Sequence, residues 1–389
     1  MIEVLKGKKV ARVATTTFLT LTQLCPQLDA INKAGSKVTI ISSQDELSSS
    51  FSSLDYATYK AITIRREINL LDDSISLFRL WYFFRSNKFD IVHSITPKAG
   101  LLCAIAAKLA GVPVRLHTFT GQPWITMQGF KRKLLKFCDR IIGLLNTRCY
   151  TDSFSQQDIL IQNNICSPDK IVVLGNGSLA GIDLARFSED NFSSADKSAL
   201  RLSLGLNEET NIILFLGRIT EEKGVFELIS AFKNIKHIEN KALLVVGDFE
   251  NKIEVSIRAH AETSSLEKII FTGYTNKPEQ YIAIADVLCL PSYREGFGTV
   301  VIEAGAMGVP TIGSRIYGLT DAIIDGVTGV LVEPKNVVQL TELLVSILED
   351  KFLRKTLGEN AKNRALKEFD SKHFSELVVN EYSKLLESI

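Results

Sequence analysis

Segment 291–310, PSYREGFGTVVIEAGAMGVP, contains the residues best suited to bind an anionic ligand. An apolar run ends at Ser292, a loop with Gly296 and Gly298 follows, and we predict a helix with Thr299 as its N-cap. The free N–H groups and the dipole of a helix start attract negative charge. A strand, a glycine loop and a helix start therefore predict an anion site here.

Two carboxylates accompany this loop. Glu295 lies within it, and Glu303 is expected about one turn inside the helix, where it accepts hydrogen bonds from ligand hydroxyl groups. The alternative is that both are solvated surface carboxylates with a capping role. The residues themselves leave both interpretations open.

A second segment, 216–229, carries two cations at a predicted strand-to-helix turn. Arg218 lies at the carboxyl end of the strand, Lys223 lies at the turn, and Gly224 permits a close approach of the backbone. A guanidinium fork and a compact ammonium group together suit a diphosphate. The alternative is a surface salt-bridge cluster with the two neighbouring glutamates, which is what charged turns usually form.

Two histidines in the first half are candidates for substrate contact. His117 lies near the end of a predicted strand with Gly121 close behind, and His93 lies within the preceding predicted strand. For each, the alternative is a core histidine that bonds to backbone. We favour a functional role for His117, and the two interpretations stand equal for His93.

Composition excludes several classes of protein. The 389 residues carry a net charge of +1, so no global field draws the chain onto nucleic acid. Six cysteines without CxxC spacing argue against a disulfide framework or a structural zinc, and favour a reducing compartment. With no secretory signal or spanning segment evident, we expect a cytoplasmic protein.

Strand-like and helix-like segments alternate along the chain, which is typical of βαβ units with parallel sheets. The pattern restarts after a polar stretch, so we predict an α/β protein of two doubly wound domains. Ligands are expected at the carboxyl ends of the strands, with the cleft between the domains as the default site. The predicted strands occupy 10–16, 37–42, 89–95, 113–119, 170–175, 211–219, 241–248, 268–274, 286–292, 309–314 and 328–333.

In their order, these segments resemble the signature blocks of family 4 glycosyltransferases, which are retaining enzymes of the GT-B fold. The matching blocks are GRITEEKG, ADVLCLPSYREGFGTVVIEAGAMGVPTI and DGVTGVLVEP. The family has an Arg-x4-Lys pair followed by a Glu-x7-Glu pair, and both spacings are matched by Arg218, Lys223, Glu295 and Glu303. The resemblance extends to the segment around His117 and to the interdomain stretch 176–187.

The resemblance implies two Rossmann-like domains that face each other across a cleft. We predict an acceptor-binding domain at 1–187, a linker at 188–208 and a nucleotide-sugar-binding domain at 209–368. Residues 369–389 are expected to form a helix that crosses back to the first domain.

The family pattern implies a role for each matching residue in catalysis. Arg218 and Lys223 neutralise the diphosphate leaving group, Glu295 contacts the donor sugar, and His117 contacts the sugar near the reacting carbon or assists the acceptor. Fixed positive charge at the diphosphate lowers the barrier to breaking the anomeric bond. Retention is usually explained by front-face attack, in which the departing phosphate oxygen takes the acceptor's proton.

Donor binding is implied at several further positions. Glu303 holds the ribose hydroxyls, and the loop and helix start formed by Gly296, Phe297, Gly298 and Thr299 bind sugar or phosphate. Many relatives have a Gly-Gly pair after the first strand, where this chain reads ATTTFLTL, so Thr16 and Thr17 are expected to offer donors instead. Base contacts are expected near Gly273 and Tyr274, and His93 is a candidate on the acceptor side.

No Asp-x-Asp motif occurs in the chain, which argues against the metal-bound diphosphate of the other large glycosyltransferase fold. We therefore expect no metal and no cofactor, with a nucleotide-sugar as co-substrate and Arg218 and Lys223 in place of a cation.

The expected partners are a UDP-sugar donor and a lipid-linked sugar acceptor. Two basic and aromatic stretches, 77–89 and 129–145, predict a patch that binds an anionic membrane surface, so the protein is expected to be peripheral on the inner face of the cytoplasmic membrane. Ordinary surface helices packed on the sheet are the alternative. For the whole chain, the competing functions are a UDP-sugar epimerase of the same fold and a non-catalytic nucleotide-sugar-binding protein.

Overall fold

The computed structural model describes residues 2–65, 67–250, 253–262 and 268–389. The chain divides into two compact units, one formed by Met1–Gly181 with Ser371–Ile389 and the other by Ile182–Asp370. Each unit contains one parallel sheet with helices, which confirms the predicted α/β class with two Rossmann-like domains. Segment 188–208, predicted as a linker, lies in the second unit and contains a helix.

Thirteen strands are described. They are β1 Lys9–Val13, β2 Lys37–Ser42, β3 Ala57–Ala61, β4 Ile91–Ile95, β5 Val114–Phe119, β6 Arg148–Thr151, β7 Ile171–Val173, β8 Asn211–Leu216, β9 Lys241–Val246, β10 Lys268–Gly273, β11 Val287–Leu290, β12 Thr311–Ser314 and β13 Gly329–Val332.

Sixteen α-helices accompany them in the described residues. They are α1 Ile2–Leu5, α2 Thr17–Leu19, α3 Cys25–Lys33, α4 Leu70–Asn87, α5 Pro97–Ala110, α6 Gly129–Leu145, α7 Phe154–Gln162, α8 Ser194–Ser203, α9 Val225–Asn234, α10 Glu254–Ala261, α11 Pro278–Ala283, α12 Thr299–Ala306, α13 Leu319–Ala322, α14 Val337–Glu349, α15 Lys351–Glu368 and α16 Ser371–Glu387. A π-helical turn at Thr20–Leu24 and 3-10 turns at Glu46–Ser53, Pro123–Ile125, Glu189–Asn191 and Glu221–Lys223 complete the helical segments.

Both sheets reverse their strand order at one point. The first sheet has the order β3-β2-β1-β4-β5-β6-β7, and the second has the order β10-β9-β8-β11-β12-β13. The reversals fall between β1 and β4 and between β8 and β11, where the loops at the carboxyl ends diverge and leave space for a ligand. The topology therefore marks one ligand position in each unit.

The central strands are continuous apolar runs because helices cover both faces of each sheet. All five residues of β4 are buried, and Ile212–Phe215 in β8 are fully buried. The edge strand β3 reads ATYKA and is largely exposed, and β6 is only four residues long. These two strands were not predicted, because neither has the apolar run on which the other predictions depended.

Helix α16 belongs to the first unit and packs against α3. Phe374, Val378 and Tyr382 on this helix are buried in the same apolar cluster as residues of β1, β2 and β4. The prediction that the C-terminal helix returns to the first domain is therefore confirmed.

Candidate active site

The switch point of the second sheet brings together the two predicted motifs. Val287 and Leu288 of β11 pair with Ile213 and Leu214 of β8. Because parallel neighbours end at the same edge of a sheet, the loop with the cations and the loop 291–298 lie side by side at the carboxyl edge.

Lys223 and Glu295 are in direct contact across these loops. The ammonium group of Lys223 donates to Glu295 Oε1, and the buried Ser292 hydroxyl donates to the same oxygen at 2.9 Å. The two charged side chains are only 18% and 12% exposed, so their positions are well constrained. A cation and a carboxylate are thus fixed beside each other where a ligand is expected.

Arg218 is placed differently. Its Nη1 lies 2.7 Å from Glu250 Oε2, beyond the end of β9, and its side chain is 57% exposed. The structure thus brings Lys223 to Glu295 and pairs Arg218 with a carboxylate that the sequence did not indicate.

Helix α12 begins one residue earlier than predicted. Gly298 is the N-cap, in a left-handed conformation with φ of 91°, and Thr299 is the first helical residue. The prediction of Thr299 as N-cap was wrong, because a left-handed cap favours glycine over any side chain. Phe297 is buried and packs on Phe369 with ring centroids 5.4 Å apart, so only its backbone remains for a ligand.

Gly318, in the segment after β12, contacts the loop that contains Glu295 and Gly296. No motif in the sequence singles it out. Its φ is +82°, and a Cβ there would lie 2.7 Å from the Gly296 carbonyl oxygen and 2.8 Å from that of Glu295. The segment after β12 therefore contacts the glycine loop backbone to backbone. A lone glycine after a predicted strand is the signal that marks such a position.

Glu303 lies half-buried on α12. Burial raises the pKa of its carboxyl to about 7, while the charge of Arg186 lowers the pKa and that of Glu279 raises it. Arg186 Nη2 donates to Glu279 Oε2 at 2.7 Å. Glu303 is thus poised to exchange its proton near neutral pH, and a ligand that donates hydrogen bonds would favour the charged form.

Gly273 and Tyr274 stand at the end of β10. Gly273 has a φ of +76°, its carbonyl accepts from the Gly247 N–H at 2.9 Å, and the Tyr274 ring is 55% exposed. An exposed ring at a carboxyl edge presents a face on which a base can stack.

His117 is a core residue of the first unit. It is 1% exposed, its Nδ1 lies 3.0 Å from Ser94 Oγ, and a Cβ at Gly100 of α5 would lie 2.3 Å from its ring. Burial lowers the pKa of His117 to about 3. The imidazole is therefore neutral at physiological pH and packed under α5.

His93 lies on the other face of the same sheet, in a buried polar network. Its Nδ1 is 2.6 Å from both Arg12 Nη1 and the Tyr382 hydroxyl, and its Nε2 is 2.8 Å from Thr118 Oγ1. Since a guanidinium only donates, Nδ1 accepts and the proton resides on Nε2. Burial, with the charge of Arg12, holds the pKa of His93 well below its usual range.

The threonine loop follows β1 at the switch point of the first sheet. Thr17 is fully buried and its hydroxyl donates to Asp45, whereas Thr16 precedes α2 in an extended conformation and is partly exposed. Thr15 Oγ1 lies 2.6 Å from the hydroxyl oxygen of Thr96, which follows β4. The Thr17 hydroxyl is therefore committed to the fold, and Thr16 is the more available of the two predicted donors.

Asp152, directly after β6, was not singled out by the sequence. It is 5% exposed, its Oδ1 has no hydrogen-bond partner in the described structure, and burial raises its pKa to about 8. The folded protein therefore holds a proton there that the unfolded chain, with an ordinary carboxyl pKa near 3.9, releases. This difference destabilises the fold progressively as pH rises from about 4 to about 8.

Replacing Asp152 with asparagine is expected to remove this pH dependence. The gain in free energy of unfolding over the wild type should grow by about 3–4 kcal/mol between pH 5 and pH 8. Denaturant unfolding at several pH values measures it. A gain that stays constant with pH would contradict the assignment.

Comparisons with known proteins agree with this geometry. Residues 196–364 match the family model of glycosyl transferases group 1, and residues 22–177 match the glycosyl transferase 4-like domain. The chain is 30% identical over 383 residues, 98% of each chain, to the capsular polysaccharide biosynthesis glycosyltransferase CapM of Staphylococcus aureus.

Two further comparisons add detail, one with a relative and one with a solved structure. An Escherichia coli UDP-Gal:alpha-D-GlcNAc-diphosphoundecaprenol alpha-1,3-galactosyltransferase is 28% identical over 79% of each chain. The structure of Anabaena HepE in complex with UDP and glucose superposes with a TM-score of 0.80 at 18% identity, covering 97% of this chain and all of the other. The chain therefore belongs to the group 1, or family 4, glycosyltransferases and has the GT-B fold.

Proposed function

We propose that this chain is a retaining glycosyltransferase that moves a sugar from a UDP-sugar to a lipid-linked sugar diphosphate during polysaccharide assembly. The observation that carries the proposal is the contact between Lys223 and Glu295 at the switch point of the second sheet. A cation for the phosphate and a carboxylate for the sugar hydroxyls stand side by side, as the junction of a nucleotide-sugar requires.

UDP as the nucleotide is supported by two relatives. The E. coli galactosyltransferase is named for UDP-Gal, and HepE is described in complex with UDP. The exposed side chain of Tyr274 beyond β10 is assigned to the base, and Glu303 on α12 to the ribose hydroxyls.

The chemistry proceeds by cleavage of the bond between the anomeric carbon and the diphosphate. Negative charge develops on the leaving oxygen, and Lys223 stabilises it with Arg218 and the start of α12. The departing phosphate oxygen takes the proton of the acceptor hydroxyl as that hydroxyl attacks the same face, so the anomeric configuration is retained. His93 and His117 are buried and their pKa values are lowered, so both are weak bases, which agrees with a reaction that uses no protein base.

The lipid-linked acceptor is proposed from the same relatives. The E. coli protein acts on a GlcNAc-diphosphoundecaprenol, and a Campylobacter jejuni protein, 25% identical over 94% of this chain, on N,N'-diacetylbacillosaminyl-diphospho-undecaprenol. An enzyme with such acceptors works at a membrane surface, and the first unit has a surface suited to one.

That surface lies on α4 and α6, which both pack against α5. Helix α6 has an exposed apolar stripe, with Phe130 at 77%, Phe137 at 58% and Leu144 at 73% exposure, beside the exposed cations of segment 131–133. Helix α4 adds a second stripe, formed by Leu71, Ile75, Phe78 and Tyr82. We propose that these stripes lie in the interface of an anionic membrane. Within the described residues no helix is long and apolar enough to cross a bilayer.

Replacing Phe130 and Phe137 together with serine is expected to weaken binding to phosphatidylglycerol vesicles at least about tenfold, because each ring loses its burial in the lipid interface. Flotation through a density gradient measures it. Phe352 on α15 is 80% exposed in the second unit, so Phe352→Ser is the matched control and should float as the wild type does. Wild-type protein that does not float would refute the membrane surface.

The donor is tested by thermal shift with UDP-, GDP- and ADP-sugars. At a concentration one hundred times the dissociation constant, the true donor should stabilise the protein by about 2.7 kcal/mol. UDP release with an undecaprenol-diphosphate-linked GlcNAc acceptor, unchanged by EDTA, should follow, and NMR should show that the product keeps the donor's anomeric configuration. No shift with any donor, inversion, or release without acceptor would each reject part of the proposal.

A further inference from the structure

The loops after β8 and β11 are joined by more than the contact between Lys223 and Glu295. Arg294 Nη2 donates to Glu222 Oε2 at 2.6 Å, and the Tyr293 N–H donates to the Glu222 carbonyl oxygen at 2.8 Å. Glu222 therefore binds the other loop through both its side chain and its backbone. None of these contacts follows from the family spacings.

The two ion pairs run in register. Glu222 pairs with Arg294, and the next residue of each loop forms the pair of Lys223 with Glu295. The Arg294 side chain is 19% exposed, so it is constrained by its surroundings, as are the side chains of Lys223 and Glu295. The Tyr293 hydroxyl adds a third connection by donating to Glu227 Oε1 on α9.

The backbones of the two loops also approach each other closely. A Cβ on Gly224 would lie 2.1 Å from the Pro291 carbonyl oxygen, so the turn and the loop are already as close as their main chains allow. The two ion pairs then fix how one loop is aligned along the other.

We propose that Glu222 and Arg294 are a positioning pair. Their contact aligns Lys223 with Glu295 at the point where the diphosphate and the sugar of the donor are joined. This inference rests on the proposed nucleotide-sugar donor. Both residues act through their neighbours and neither contacts the donor. The pair preorganises the inner cation, so binding the diphosphate requires no reordering of the loops.

The sign of one effect separates positioning from simple electrostatics. Glu222 is an acid beside a site for an anion, so its charge alone opposes diphosphate binding. Replacing Glu222 with glutamine should strengthen UDP binding if only charge matters. It should weaken UDP binding if the ion pair with Arg294 aligns Lys223.

The experiment measures UDP and UMP affinities by calorimetry on full-length Glu222→Gln, Arg294→Gln and the double variant. We expect each single variant to bind UDP about tenfold more weakly, the double variant to be no worse than either, and UMP affinity to change less than about twofold. The charge-exchanged variant Glu222→Arg/Arg294→Glu should recover part of the loss. Arg315→Gln, which removes a cation paired with Asp325 after β12, is the matched control and should leave the ratio of UDP to UMP affinity unchanged.

Tighter UDP binding by Glu222→Gln, additive losses in the double variant, or equal losses for UMP and UDP would each overturn the positioning role. Melting temperatures of all variants, measured without ligand, identify any loss that comes from unfolding. If the wild type binds none of UDP, GDP and ADP, the proposed function fails and this inference fails with it. If the wild type binds UDP and the variants bind it equally well, the inference fails and the proposed function stands.

Discussion

Replacing Lys223 with alanine is expected to lower kcat by about 10²–10³-fold, because the ammonium group stabilises charge that develops on the leaving diphosphate. Its contact with Glu295 in the free protein already places it at the carboxyl edge between β8 and β11. UDP affinity should fall as well, since a charge-assisted contact to phosphate is lost. Steady-state kinetics of UDP release measures both effects.

The truncation also leaves Glu295 without its counter-charge in a site where it is 12% exposed, which destabilises the protein by itself. A Lys223→Ala/Glu295→Gln variant should therefore regain stability and remain inactive. Lys355→Ala is the control, because Lys355 is 76% exposed and its ion pair with Glu359 lies within α15. A kcat within threefold of the wild type for Lys223→Ala would refute the assigned role.

Replacing Gly224 with alanine is expected to cost nearly as much activity. The new methyl group would meet the Pro291 carbonyl oxygen at 2.1 Å, so the turn and the loop must separate. A displacement of about 1 Å at a catalytic group costs about 10²-fold in rate. Turnover and the melting temperature should both fall.

Gly205→Ala separates collision from backbone strain. Gly205 has a φ of +68°, against +69° for Gly224, and a Cβ there meets nothing within 4 Å. It carries the strain of a left-handed alanine, about 1–2 kcal/mol, without the clash. This control should lower the melting temperature and leave kcat unchanged; if Gly224→Ala does no more, close approach of the two loops is not needed for activity.

The strands that carry the candidate site could be predicted from the sequence, because the patterns that mark them are local. Continuous apolar runs such as β8 and β9 are recognisable because burial on both faces leaves no polar positions, whereas the polar edge strand β3 resembles a loop. The Arg-x4-Lys and Glu-x7-Glu spacings are likewise visible in the linear sequence. Their proximity depends on β8 lying beside β11, a pairing of distant segments that local sequence does not encode.

Side-chain environments were less predictable. His93 and His117 look alike in sequence, each within an apolar strand, yet they point to opposite faces and meet different partners. Arg218 was predicted at the carboxyl end of its strand and lies just beyond the end of β8, but its pairing with Glu250 depends on the end of β9. Asp152 matters through what packs around it, and a single sequence does not contain that information.

The bond between Arg12 and Tyr382 joins residues 370 positions apart. During synthesis β1 to β7 therefore leave the ribosome long before α16. The second unit, continuous from Ile182 to Asp370, is synthesised completely before α16 emerges. Until α16 has been synthesised, Arg12 and the apolar face of the first sheet lack the helix that packs on them. The unit whose synthesis begins first is thus the last to complete its core, and we expect its apolar surface to be prone to aggregation until then.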